Sequence, residues 1–218
     1  MMKSRFPVCY YSAILGASVY IAVAILAYVR YFVSFSPTHN WLSDLGNQID
    51  NPHGAILYNT GVITSAVCLA IWFTAGLSQW KLKHKVVQHR LLLISQIAGL
   101  LAAFATTMSA IYPINIFQIH AFWSKVHFMM SCMVFGFSVS ALRYHPLLPQ
   151  ANLYVGATTA VLPTLMLIFG NSYWFEWATV GCMIVYMLLI GKASLTFSRS
   201  RNSSIPGKSS IDLRRDPL

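Results

Sequence analysis

Asp44, Asp50 and Glu176 are the only acids ahead of the C-terminal tail. In a chain that is 56% hydrophobic, carboxylates this scarce mark places where a proton is held or a cation is bound. Histidine supplies the matching base. His120, Ser124, His127, Ser131 and Ser138 recur at steps of four, three, four and seven, which sets all five on one face of a helix. Lys125 stands one residue off that stripe, able to snorkel toward headgroups or to pair with Asp44. A histidine oriented by a carboxylate moves protons as a general acid or base. Asp44, His120 and His127 are therefore the candidate catalytic residues. Ser43, Asn59, Tyr112, Ser124, Lys125 and Glu176 are the candidates for holding a ligand. No metal site is expected. His120 and His127 lie two turns apart, about 10 Å along a helix axis, whereas paired ligands on one helix sit at i and i+4. No nucleophile-elbow glycine pattern surrounds Ser43 or Ser124, which argues against a serine hydrolase. Three uses of the stripe stay open: hydrogen bonds between helices, a binding pocket, and a catalytic site.

The elements that position these residues are apolar helices. Charged residues make up 9% of the 218, against about 25% in an average globular chain. A bilayer-crossing helix needs roughly 20 apolar residues. Runs at 8–32, 55–79, 89–112, 117–142, 152–171 and 174–195 meet that length. The fold class expected is all-α: an integral bundle of six transmembrane helices with a short interfacial helix on the outer side. Strands of a barrel would alternate every second residue over about ten positions instead. The first run is too long for a signal peptide and lacks a small-residue cleavage site, so it reads as a retained helix.

The net charge of +10 is arranged by topology. Lys3, Arg5, Lys81, Lys83, Lys85, Arg90, Arg143, Lys192, Arg199, Arg201, Lys208, Arg214 and Arg215 all fall on one side of six spans, and only Arg30 and Lys125 on the other. That is the positive-inside pattern, with both termini cytoplasmic, in a cell (inner) membrane. It points away from nucleic acid. The layout is then a cytoplasmic N-terminus over 1–6, a membrane domain over 7–195 with an outer loop at 33–54, and a basic disordered cytoplasmic tail over 196–218.

The outer loop contains the stretch NWLSDLGNQIDNPHG, residues 40–54. Ser36-Pro37 reads as a helix start and Gly46-Asn47 as a stop, giving a short helix over 37–45 with Trp41 at the interface. Asn51-Pro52 repeats the start signal ahead of the second span. Cys9, Cys68, Cys132 and Cys182 are scattered one per helix and read as small core residues. Gly16, Gly61, Gly99, Gly136 and Gly156 read as close helix crossings.

LSDLGN, followed by NPHGAILYNTGVI, resembles the signature of the domain-of-unknown-function family numbered 998, small multi-pass membrane proteins. The matching elements are Ser43, Asp44, Leu45 and Gly46; Asn59 and Gly61; Ile111, Tyr112 and Pro113; and His120. Ala110 replaces the glycine that the family pattern has before Ile111. The layout is loosely similar to the Frag/DRAM/Sfk type of six-span proteins, which are linked to lipid handling. The resemblance implies the fold and singles out Ser43, Asp44, Tyr112 and His120, without implying a reaction. The function expected is binding or handling of a lipid or small amphiphile in an outer-facing polar pocket. The alternatives are a membrane-embedded enzyme on a lipid or isoprenoid-like substrate, with His/Asp acid–base chemistry, and a structural or accessory subunit. Membrane lipids and a small amphiphilic ligand are the expected partners; the sequence names no cofactor and no protein partner.

Overall fold

The computed structural model describes residues 6–32, 34–82, 85–146, 148–169 and 172–203, with the last five described by backbone alone. Six helices follow one another: α1 Val8–Val29, α2 Ala55–Ile71, α3 Val86–Ile111, α4 Phe117–Leu142, α5 Gln150–Phe169 and α6 Tyr173–Ser203. Each is long and apolar enough to cross a bilayer once the π-helical turn Trp72–Gly76 is added to α2. Among the described residues there is no strand. The chain is a multi-pass integral membrane protein, because in hydrocarbon only a helix or a closed barrel satisfies every backbone group.

Each helix packs against the next, and α6 closes back on α1. The six therefore form a ring. α1 begins and α6 ends at one end of it, called here the termini end; the 36–54 segment covers the other, the cap end. Local sequence sets the helix limits. Tyr112 precedes Pro113 and leaves helical geometry with ψ 83°, as clash with the proline ring requires. Gln79 finishes the start of α1: its Oε1 accepts the Cys9 N–H at 3.2 Å and the Ser194 hydroxyl at 3.2 Å, and its Nε2 donates to the Phe6 carbonyl at 2.7 Å. One side chain thus satisfies an orphan helix donor and ties α1 to α6.

The termini half of the ring is filled with aromatic side chains. Trp72, Phe73, Phe135 and Tyr186 are all 3% exposed or less. Tyr186 meets Phe135 at 5.6 Å and Trp72 at 6.4 Å between ring centroids, edge to face. The indole N–H groups of Trp72 and Trp80 find no oxygen acceptor; both lie against the Cys9 thiol, a weak acceptor. Within the π turn the Thr74 carbonyl takes the Gln96 amide at 2.7 Å and the Ser78 hydroxyl at 2.8 Å. Small residues make the crossings possible. A Cβ on Gly61 would lie 2.4 Å from Val23, one on Gly99 2.3 Å from Phe73, and one on Gly156 2.4 Å from Tyr186. Gly136 is the exception among the five expected crossings: nothing lies within 4 Å of a Cβ built there.

Two expected boundaries differ. The segment 37–45 is not one helix but a turn at 37–39 followed by a 3-10 turn, Leu42–Gly46. Side chains have taken the backbone donors. The Trp41 N–H, which a continuous helix would give to the Pro37 carbonyl, donates to the Asp44 carboxylate at 2.8 Å, the competition that Asp and Asn bring to short helices. At the other end, α6 runs on to Ser203 instead of stopping at 195. Phe197, with its ring 5.6 Å from His145, packs the overrun onto the α4–α5 connection. The rest of the expected tail, 204–218, and residues 1–5 lie outside the described residues.

Candidate functional site

The cap end of the ring is hollow. A cavity of about 140 Å³ lies between the 3-10 turn and the aromatic plug, walled by α1, α2, α3, α4 and α6. Its polar wall comes from the helix turns nearest the cap: Asn59 and Tyr58 of α2, Ser109 of α3, His120 and Ser124 of α4, and Glu176 of α6. Its floor is apolar, made by Phe73, Phe135, Met183 and Met187. Polar residues are densest in the cap-side turns, Ser65, Thr106, His127 and Ser131 add polar groups further down, and aromatic bulk fills the termini side.

The 40–54 segment is the roof. The Glu176 carboxylate accepts the Leu42 N–H at 2.7 Å, and the Ser43 N–H and hydroxyl close on the same group. Asn59 donates through Nδ2 to the Gly46 carbonyl at 2.9 Å. Trp177 donates to the Asn40 carbonyl at 3.1 Å. Asn51, fully buried, donates to the carbonyls of Ala27 at 3.1 Å and Leu45 at 2.8 Å, and accepts the Gly54 N–H at 3.1 Å. The roof is thereby tied to α1, α2 and α6.

Of the residues singled out from sequence, Ser43, Asn59, His120, Ser124, His127 and Glu176 converge on the cavity. Asp44, Tyr112 and Lys125 stand outside its lining. Asp44 does not orient His120. Its carboxylate holds the Trp41 N–H and, at 3.4 Å, the Asn40 amide. His120 is held through Nδ1 by the carbonyls of Ser109 at 2.9 Å and Tyr112 at 3.0 Å. Both partners are acceptors, so Nδ1 carries the proton and Nε2 is left as the basic nitrogen. Tyr112 thus serves through its backbone. Lys125 is exposed on α4, away from the cavity; one step of about 100° round the helix turns it off the stripe. Ser138, the last residue of the stripe, lies below the cavity and shares a hydrogen bond of 3.2 Å with the Tyr186 hydroxyl. Among the described residues no three of His, Cys, Asp and Glu are grouped to hold a metal ion.

Sequence reasoning passed over Tyr20, Ser65 and Asn51. Tyr20 and Tyr58 share a hydroxyl–hydroxyl bond of 3.0 Å across α1 and α2. Ser65 is 4% exposed, lines the cavity, and its hydroxyl has no partner. A lone serine or tyrosine in a span carries no periodic signal; only the ring's closure brings them together.

Burial raises the Asp44 carboxyl above its usual value, against the lowering effect of the Trp41 and Asn40 bonds. Asp50 adds to the rise and His120 opposes it. The folded chain therefore favours the protonated acid. That stabilisation is complete below the unfolded value, near 3.8, and is lost as pH rises through the raised folded value. Asp44→Asn keeps an acceptor for Trp41 and cannot ionise. Its apparent Tm in a nonionic micelle should fall less than that of wild type as pH rises above the unfolded value near 3.8. Superimposable pH curves for the two proteins would show that Asp44 is not buried enough to matter.

Comparison of the chain with protein-family models, with curated proteins and with solved structures gives no match.

Proposed function

We propose that the protein binds or handles a lipid or other small amphiphile in the roofed cavity. One observation carries this: the cavity is polar at the roof and apolar at the floor, the profile of a molecule with a head and an apolar body. The stretches that carry the family-998 resemblance coincide with it, since Ser43, Asn59 and His120 line the wall. On the positive-inside pattern the roofed end of the cavity lies on the outer-leaflet side of a cell membrane, with both termini cytoplasmic.

Native mass spectrometry of gently purified protein tests the reading. Wild type should retain a specific small molecule or lipid. Val180→Phe, which adds a ring to the wall of the cavity, should lose it while keeping an apparent Tm close to wild type. A wild type that retains nothing, and whose Tm no added amphiphile raises, would refute binding and leave a structural or accessory role.

A second reading is acid–base chemistry on the bound molecule. The fixed Nδ1–H of His120 favours it, because a histidine locked in one tautomer presents Nε2 as a base. Turnover of the retained molecule by wild type and its loss in His120→Gln, with retention intact, is the result that reading requires.

A further inference from the structure

The polar wall holds several fixed acceptors, beside hydroxyls on Ser65, Ser124 and Tyr58 that can donate or accept. Glu176 is 9% exposed, and among the described residues its hydrogen-bond partners are the amides and hydroxyl of the roof. His120 gives its Nδ1 proton to two carbonyls, leaving Nε2 an acceptor. His127 does the same. The Thr106 hydroxyl spends its hydrogen on the Ala102 carbonyl at 2.9 Å, so at 2.8 Å it must accept from His127 Nδ1. Asn59 spends its amide nitrogen on Gly46, which leaves Oδ1. Among the described residues no lysine or arginine lines the cavity. A carboxyl group out of water stays ionised only against a counter-ion, and the described wall supplies none.

Size narrows the occupant further. The volume of about 140 Å³ is close to that of engineered apolar cavities that admit benzene, about 150 Å³. Ser65, unpartnered halfway down α2, offers one further polar contact below the head.

Resting on the ligand reading above, we infer that the occupant is a compact amine: an ammonium head paired with Glu176 and accepted by the His120 and Asn59 acceptors, carrying a ring-sized apolar body toward Phe73 and Phe135. An anionic head would meet the Glu176 carboxylate and the lone pairs of His120 Nε2 and Asn59 Oδ1. An alcohol would bring one donor to several acceptors and leave Glu176 without its counter-charge.

The test uses three molecules of one shape, 2-phenylethylamine, 2-phenylethanol and 3-phenylpropanoate, titrated at neutral pH into the full chain in nonionic micelles. Binding is read by thermal shift and by native mass spectrometry. The amine should bind wild type at least about tenfold more tightly than the alcohol, and the carboxylate should not bind. Glu176→Gln should bring the amine down to the level of the alcohol. Val180→Phe should abolish binding of the amine and the alcohol, which removes micelle effects from the comparison. The order of the three heads on wild type decides the matter even if Glu176→Gln does not fold. Equal binding of amine and alcohol, or preference for the carboxylate, would overturn the amine head and leave the cavity a ligand site. No binding of any of the three, together with no retained molecule in the purified protein, would overturn both.

Discussion

Asn51→Ala should unfold the roof and lower the apparent Tm by about 6–12 °C, at 2–4 °C per kcal/mol for a chain of this size and a loss of about 3 kcal/mol. Asn51 is fully buried and makes three hydrogen bonds to three backbone groups, on Ala27, Leu45 and Gly54. Alanine removes one acceptor and both donors. The Leu45 carbonyl is left without a partner, while the Ala27 carbonyl keeps the Arg30 N–H at 3.2 Å and the Gly54 N–H keeps the Asn51 carbonyl at 3.1 Å. The stranded carbonyl costs about 1–3 kcal/mol and each of the other two lost bonds about 0.5–1.5 kcal/mol. Asn51→Asp separates the contributions. It keeps the acceptor for Gly54 and loses the donors to Ala27 and Leu45, so it should fall at least as far as alanine. Thermal unfolding in micelles reads both, and a drop under about 2 °C for alanine would mean that water replaces the side chain. Ligand retention should fall with the roof, because Leu45 and Gly46 are held over the cavity by Asn51 and Asn59.

Gly99→Ala should be the second most damaging change. The added Cβ would sit 2.3 Å from Phe73 Cγ and 2.6 Å from its Cβ. Those atoms are the root of the ring, not its mobile end. Phe73 is 3% exposed within the π turn, so it cannot swing away without moving backbone. Overpacking of this kind costs about 1–3 kcal/mol. Phe73 also forms part of the cavity floor, so the shift should reduce ligand retention as well as stability. The double variant Gly99→Ala with Phe73→Leu should be more stable than the sum of the two single changes predicts, since the smaller side chain makes room. Strict additivity would show that the clash is relieved elsewhere. Gly136→Ala is the control, with open space at its Cβ and an expected change within about 0.5 kcal/mol.

Sequence alone settled the solvent and the architecture. Six runs of apolar residues with few charges leave helices in a bilayer as the only way to satisfy the backbone, and α1 to α6 fall on those runs within a few residues at most ends. The α4 stripe was legible for the same reason: a period of 3.6 places His120, Ser124, His127 and Ser131 on one face, and all four line the cavity. Periodicity says which residues share a face, but not what stands opposite. Asp44 and His120 looked like partners because both are ionisable and both fall at one end of the bundle. The local turn gave Asp44 to the Trp41 N–H, and the carbonyls ending α3 took His120. Glu176 reaches the roof across a separation of 134 residues. Contacts at that range depend on how the ring closes, α6 against α1, where a Cβ on Gly191 would lie 3.2 Å from Ala13 and from the Cys9 carbonyl, and on the aromatic plug, not on any local pattern. Asn51 read as a helix-start residue, and only the meeting of α1, the roof and α2 turned it into the knot that holds them.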